Sequence, residues 1–159
     1  MPKTVDALKI SLSLAQAGAI VDGALAAARA NDLEPLTVAA LDAGGHIVAL
    51  KREDGSGIIR VEIAHAKAYG ALGMGLSSRG IGERLGKRPI FATSLTVIAD
   101  GRLAVAAGGV LIKDAAGDVI GAVGISGDTS EKDEFAAIQG IEAAGLTPEP
   151  REPDPNWRG

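Results

Sequence analysis

The chain has no cysteine among its 159 residues. That excludes disulfides, a thiolate nucleophile and any cysteine-ligated metal cluster. Aromatic residues make up only 3% of it: Phe91, Phe135, Tyr69 and Trp157. The core must therefore be built from Ala, Val, Ile and Leu. Such residues bury little area each, at about 25 cal/mol per Å², so self-association is an expected source of stability. Basic charge is not in excess. The net charge of -4 argues against nucleic acid as the main partner, because phosphate binding needs a basic surface. No apolar run is long enough to span a bilayer, and the N-terminus lacks a signal-peptide layout. A membrane is not an expected partner, and a cytoplasmic location is the expectation.

What is present is a soluble composition, 47% hydrophobic and 23% charged, in a length that suits one domain. Ile10, Leu14, Ala17, Val21, Leu25 and Ala28 form one stripe, which predicts a helix over 4–30 with Thr4 as N-cap. Asn31 would end it in a left-handed conformation. Pro35 to Leu41 and Ile47 to Lys51 read as strands about the turn Asp42-Ala43-Gly44-Gly45. Ile59 to Leu76 reads as a second helix. Residues 77–90 are irregular and basic, with a helical turn near Ile81 to Leu85. Leu95 to Ala99 reads as strand or short helix, and Arg102 to Ala107 as strand. Val110 to Lys113 and Val119 to Ile125 form a hairpin, and a last helix runs from Thr129 to Ala144 with Gly145 as its stop. From 147 to 159 four prolines predict an extended arm. Trp157 is its aromatic anchor, placed to dock on a neighbouring subunit. The order predicts an α+β domain over 1–146 with a mostly antiparallel sheet of about five strands.

Glycines in the strands, at Gly108-Gly109 and Gly121 to Gly127, suggest close backbone approach and a backbone-lined pocket. Two histidines are present. His46 at the hairpin mouth reads as an exposed strand-start residue. His65 on the second helix is a solvated residue, an interface residue or an axial ligand to heme iron. Lys67 either snorkels from the buried face or pairs a ligand carboxylate. Arg52, Arg60 and the basic segment Arg84 to Arg88 can cradle an anion or simply be charged loops. Glu131, Asp133 and Glu134 suit a helix start and are weak metal ligands. Asp128 reads as the N-cap of the last helix or as a general base.

Several pieces together resemble the GlcG/HbpS-like heme-binding family, related to the C-terminal domain of PduO-type corrinoid adenosyltransferases. They are Leu36-Thr37-Val38-Ala39, Asp42-Ala43-Gly44-Gly45-His46-Ile47-Val48-Ala49-Leu50, Asp54-Gly55, Ile63-Ala64 with Lys67-Ala68, Gly108-Gly109-Val110, and Val119 to Gly127 followed by Asp133-Glu134. The chain departs from the family pattern at Leu111 and Asp128. The resemblance implies a profilin-like α-β-α sandwich, a homo-oligomer and, in some relatives, heme binding. It points first to an oligomeric small-molecule-binding protein. There Arg52, Lys67 and Arg88 meet the carboxylates of heme or a related ring, Gly108 and Gly109 let the ring approach, and His65 binds the iron. The alternative is a cofactor-independent lyase or isomerase acting on a small carboxylated catabolite, with Lys67 as substrate anchor and Asp128 or Asp133 as proton carrier.

Overall fold

The computed structural model describes residues 5–159. Ser13 caps the first helix, α1 (Leu14–Ala30), through a capping box with Gln16. The helix thus begins well after the expected start. Thr4 lies outside the described residues, and Leu8 and Ile10 belong to a non-helical lead-in segment. The apolar stripe continues past the helix, but serines at 11 and 13 favour capping over helix interior. Asn31 does not take the left-handed conformation; Asp32 does, at φ 55°.

Strands β1 (Thr37–Asp42) and β2 (Ile47–Arg52) form the expected hairpin. Helices α2 (Arg60–Met74), α3 (Ser78–Leu85) and α4 (Pro89–Ile98) follow. The basic segment is therefore largely helical. Ser77 caps α3, and Pro89 at the first turn starts α4. Residues 102–107 are not a strand. They cross α2 as a loop, with Leu103 buried against Gly70. Strands β3 (Gly109–Lys113) and β4 (Val119–Ser126), helix α5 (Ser130–Ala143) and a short strand β5 (Thr147–Glu149) complete the chain. Thr129, not Asp128, caps α5, and Gly145 follows it at φ 75°.

The sheet order is β2-β1-β4-β3-β5, antiparallel throughout. Alternation along the strands divides the core. Val38, Ala40, Val110, Ile112, Val123 and Ile125 face one layer with Ile20, Val21, Ile138 and Ile141 of α1 and α5. Leu41, Leu111 and Ala122 face α2 through Ala68 and Ala71. This is the α-β-α sandwich. Trp157 stacks on Phe135 of its own chain, with ring centroids 3.7 Å apart and planes within 5°. The tail thus closes over α5 rather than holding its tryptophan free for a neighbour.

Candidate functional site

Gly108, Gly109 and Gly124 serve the packing of α2. A Cβ at Gly124 would run into the Ala64 carbonyl, and one at Gly109 into the Lys67 carbonyl. At Gly108 a Cβ would fall 2.8 Å from Lys67 Nζ. The space these glycines leave is filled by the helix and by Lys67 itself.

Lys67 is turned inward, with its side chain 4% exposed. Its Nζ donates to the Ile125 carbonyl at 2.9 Å and to Asp133 Oδ2 at 3.1 Å. Asp133 Oδ1 accepts from the Asp128 amide at 3.0 Å. Burial pushes the Lys67 ammonium below its ordinary value, against the pull of Asp133. Burial likewise pushes the Asp133 carboxyl up, against Lys67. Desolvation outweighs pairing on both sides of this ion pair.

Asp128 is held differently. Burial pushes its carboxyl up, but the Glu34 and Thr129 amides and Lys132 bring it below its ordinary value. A carboxylate so stabilised is a poor proton acceptor at neutral pH. Glu134 is fully buried, with Arg79 Nε 3.1 Å from its Oε2. Burial raises it, and Arg79 works the other way. Asp133 and Glu134 are thus each taken by a cation. Among the described residues no three His, Cys, Asp or Glu side chains converge as a metal site.

The remaining expected residues are dispersed. Arg52 is exposed at the end of β2. Arg88 caps α4 and stacks on Phe91, 4.3 Å from the ring centre. His65 is half-buried on α2 and stacks on Tyr69 at 5.7 Å, and Arg102 covers the Tyr69 ring at 4.3 Å. Burial lowers the His65 pKa, and Arg102 lowers it further, so its ring is neutral at neutral pH. Lys67 does not share a surface with Arg52 or Arg88.

The polar groups that do converge lie around the β1–β2 turn. Tyr69 packs under Gly45, where a Cβ would come 2.8 Å from Cε2. On that side a small cavity of about 170 Å³ is lined by Ala43, Gly44, Gly45, Tyr69, Leu72 and Gly73. On the other side a cleft of about 500 Å³ opens between residues 8–12 and 42–46. Leu8 and Ile10, 89% and 71% exposed, give it apolar wall, and Lys9 and His46 give it polar groups. The Ala43 amide donates to Ser11 Oγ at 3.0 Å, which ties the lead-in segment to the turn. The apolar stripe points to a helix through residues 8–12, and a helix there leaves no such cleft. The serine pair at 11 and 13, with Gln16 completing a capping box, was the available signal.

Residues 12–142 match the family described as Haem degrading protein HbpS-like. The crystal structure of a PduOC:heme complex superposes with a TM-score of 0.76 at 25% identity, over 86% of this chain and 97% of that one. The Klebsiella pneumoniae protein ORFY gives 0.76 at 22% identity, over 91% and 97%. HbpS gives 0.72 at 24%, over 89% and 95%. The last two share the fold. No curated protein matches the sequence.

Proposed function

Because the chain belongs to the HbpS-like family, we propose that it binds heme or a closely related tetrapyrrole, in the cleft between its lead-in segment and the β1–β2 turn. The cleft is the observation that carries this reading. Its volume of about 500 Å³ falls within the range of small-ligand sites, roughly 300–1,000 Å³. Its groups fit the ring's chemistry. Leu8 and Ile10 offer apolar contact, Lys9 offers a cation to a propionate, and His46 offers an imidazole nitrogen. When bound, heme supplies a redox-active iron; the chain's own residues bind and orient it.

The open groove of about 460 Å³ beside Arg88 and Phe91 has cations and apolar surface but no nitrogen donor for iron. It suits another role. Helix α4 buries none of its residues, and Ile90, Val97 and Ile98 are 87%, 75% and 77% exposed. An apolar helix of this kind marks an association surface, and a second copy of this chain is its proposed partner. The lyase alternative draws no support from the comparisons. Lys67 and Asp133, its two central groups, face each other in the interior.

Visible titration of the protein with hemin, against a free-hemin control, tests the binding. A saturable, shifted Soret band is expected. An unchanged spectrum at stoichiometric excess overturns the reading.

A further inference from the structure

We propose that His46 is the iron ligand and that Asp42 is the positioning residue that fixes its ring. The inference rests on the heme reading above and names the atom through which the site works.

Asp42 closes β1. Its Oδ1 accepts from the Gly44 amide at 2.9 Å, the His46 amide at 3.0 Å and the His46 ring at Nδ1, 3.2 Å. A carboxylate only accepts, so the proton on the neutral ring belongs on Nδ1 and the lone pair on Nε2. Metal-binding histidines carry this arrangement, in which a carboxylate on one nitrogen fixes the tautomer and raises the basicity of the other. The side chain is 78% exposed on the cleft wall. In the β3–β4 turn Asp114 Oδ1 likewise accepts from two amides, of Ala116 and Asp118; only in the β1–β2 turn does the same oxygen also reach a ring. Here both the backbone and the ring of His46 are held by one oxygen.

Gly44 is part of the device. A Cβ there would fall 2.8 Å from His46 Cε1 and 2.9 Å from Nδ1. The missing side chain is what lets the ring lie against Asp42. Across the cleft, Leu8 and Ile10 offer apolar surface, and Lys9 adds a cation.

His65 is the poorer donor on every count. Among the described residues no carboxylate is paired with it, it is stacked on Tyr69, and burial, with the Arg102 cation beside it, lowers its pKa. The cavity beside Tyr69, at about 170 Å³, is below the size of ordinary ligand sites.

The test is hemin binding followed by absorption and resonance Raman spectroscopy on wild type, His46→Ala, His65→Ala, Gly44→Ala and Asp42→Asn, with folding checked by circular dichroism. His46→Ala should lose the histidine-ligated Soret band, and added imidazole should restore it. His65→Ala should keep it. Gly44→Ala, which displaces the ring while keeping the imidazole, should weaken the band. Asp42→Asn should still bind, about tenfold more weakly, with a lower iron–histidine stretching frequency in the ferrous complex. A His46→Ala spectrum identical to wild type, or loss in His65→Ala alone, overturns the assignment while leaving heme binding intact. A wild-type protein that leaves the hemin spectrum unchanged overturns both.

Discussion

Replacing Lys67 with methionine removes the cation from a carboxylate that is only 2% exposed. Asp133 keeps the Asp128 amide on Oδ1 but loses its partner on Oδ2, and the Ile125 carbonyl loses its donor. Breaking one side of a buried pair costs about 3–5 kcal/mol. In a chain of this length that lowers the melting temperature by roughly 6–20 °C. Adding Asp133→Asn should recover most of the loss. It removes the second charge yet keeps an acceptor for the Asp128 amide. Asp133→Leu would instead strand that amide, at about 1–3 kcal/mol. The double variant Lys67→Met/Asp133→Asn is therefore expected within about 2 kcal/mol of wild type. Calorimetry at fixed protomer concentration, with urea titration beside it, measures all three. A single variant within about 1 kcal/mol of wild type would show that Asp133 does not depend on Lys67. So would a double variant as damaged as the sum of its parts.

Other consequences are equally direct. Burial raises Glu134 in the folded chain, so its stabilising contribution is present below the unfolded value of 4.5 and is lost as pH climbs through the folded value. Glu134→Gln should flatten that part of the stability curve, and an unaltered slope above 4.5 contradicts the burial argument. Trp157→Ala removes a stack worth about 0.5–1.5 kcal/mol beyond its buried area. Urea unfolding should show at least that loss, and no loss means the tail does not hold in solution. Ile98→Lys places a charge on the bare face of α4. Light scattering should then report a smaller mass with an unchanged circular dichroism spectrum, and an unshifted mass removes α4 from any self-contact.

The sandwich was legible because its signals are local. Alternating apolar residues flank the turns Asp42 to Gly45 and Asp114 to Asp118, and Ala64, Ala68 and Ala71 repeat at helical spacing. The inward turn of Lys67 was legible too, though unread. It sits three residues after Ala64 and four before Ala71, on the stripe that packs against the sheet. Glu134 has the same relation to Ala137, Ile138 and Ile141. Read by periodicity alone, both charges belong inside, and a buried charge requires a partner. What periodicity cannot supply is which partner, because Asp133 and Arg79 arrive from distant parts of the chain. The strand glycines do mark close approach, but what approaches Gly108, Gly109 and Gly124 is helix α2, and what approaches Gly121 and Gly127 is backbone of β1 and of the residues before it. The Asp42–Gly44–His46 arrangement stayed hidden for a related reason. It depends on one oxygen serving two amides and a ring, which is a matter of turn geometry.

A tetrapyrrole bound between residues 8–12 and the β1–β2 turn would perturb the amides of those segments first. The most direct measurement is a backbone amide NMR titration with gallium protoporphyrin, which is diamagnetic and keeps the ring and its carboxylates. Shifts are expected to concentrate at Leu8 to Leu12 and Asp42 to His46 and to saturate with added ligand. Shifts confined to α4 or to the Tyr69 cavity, or none at all, would contradict binding in that cleft.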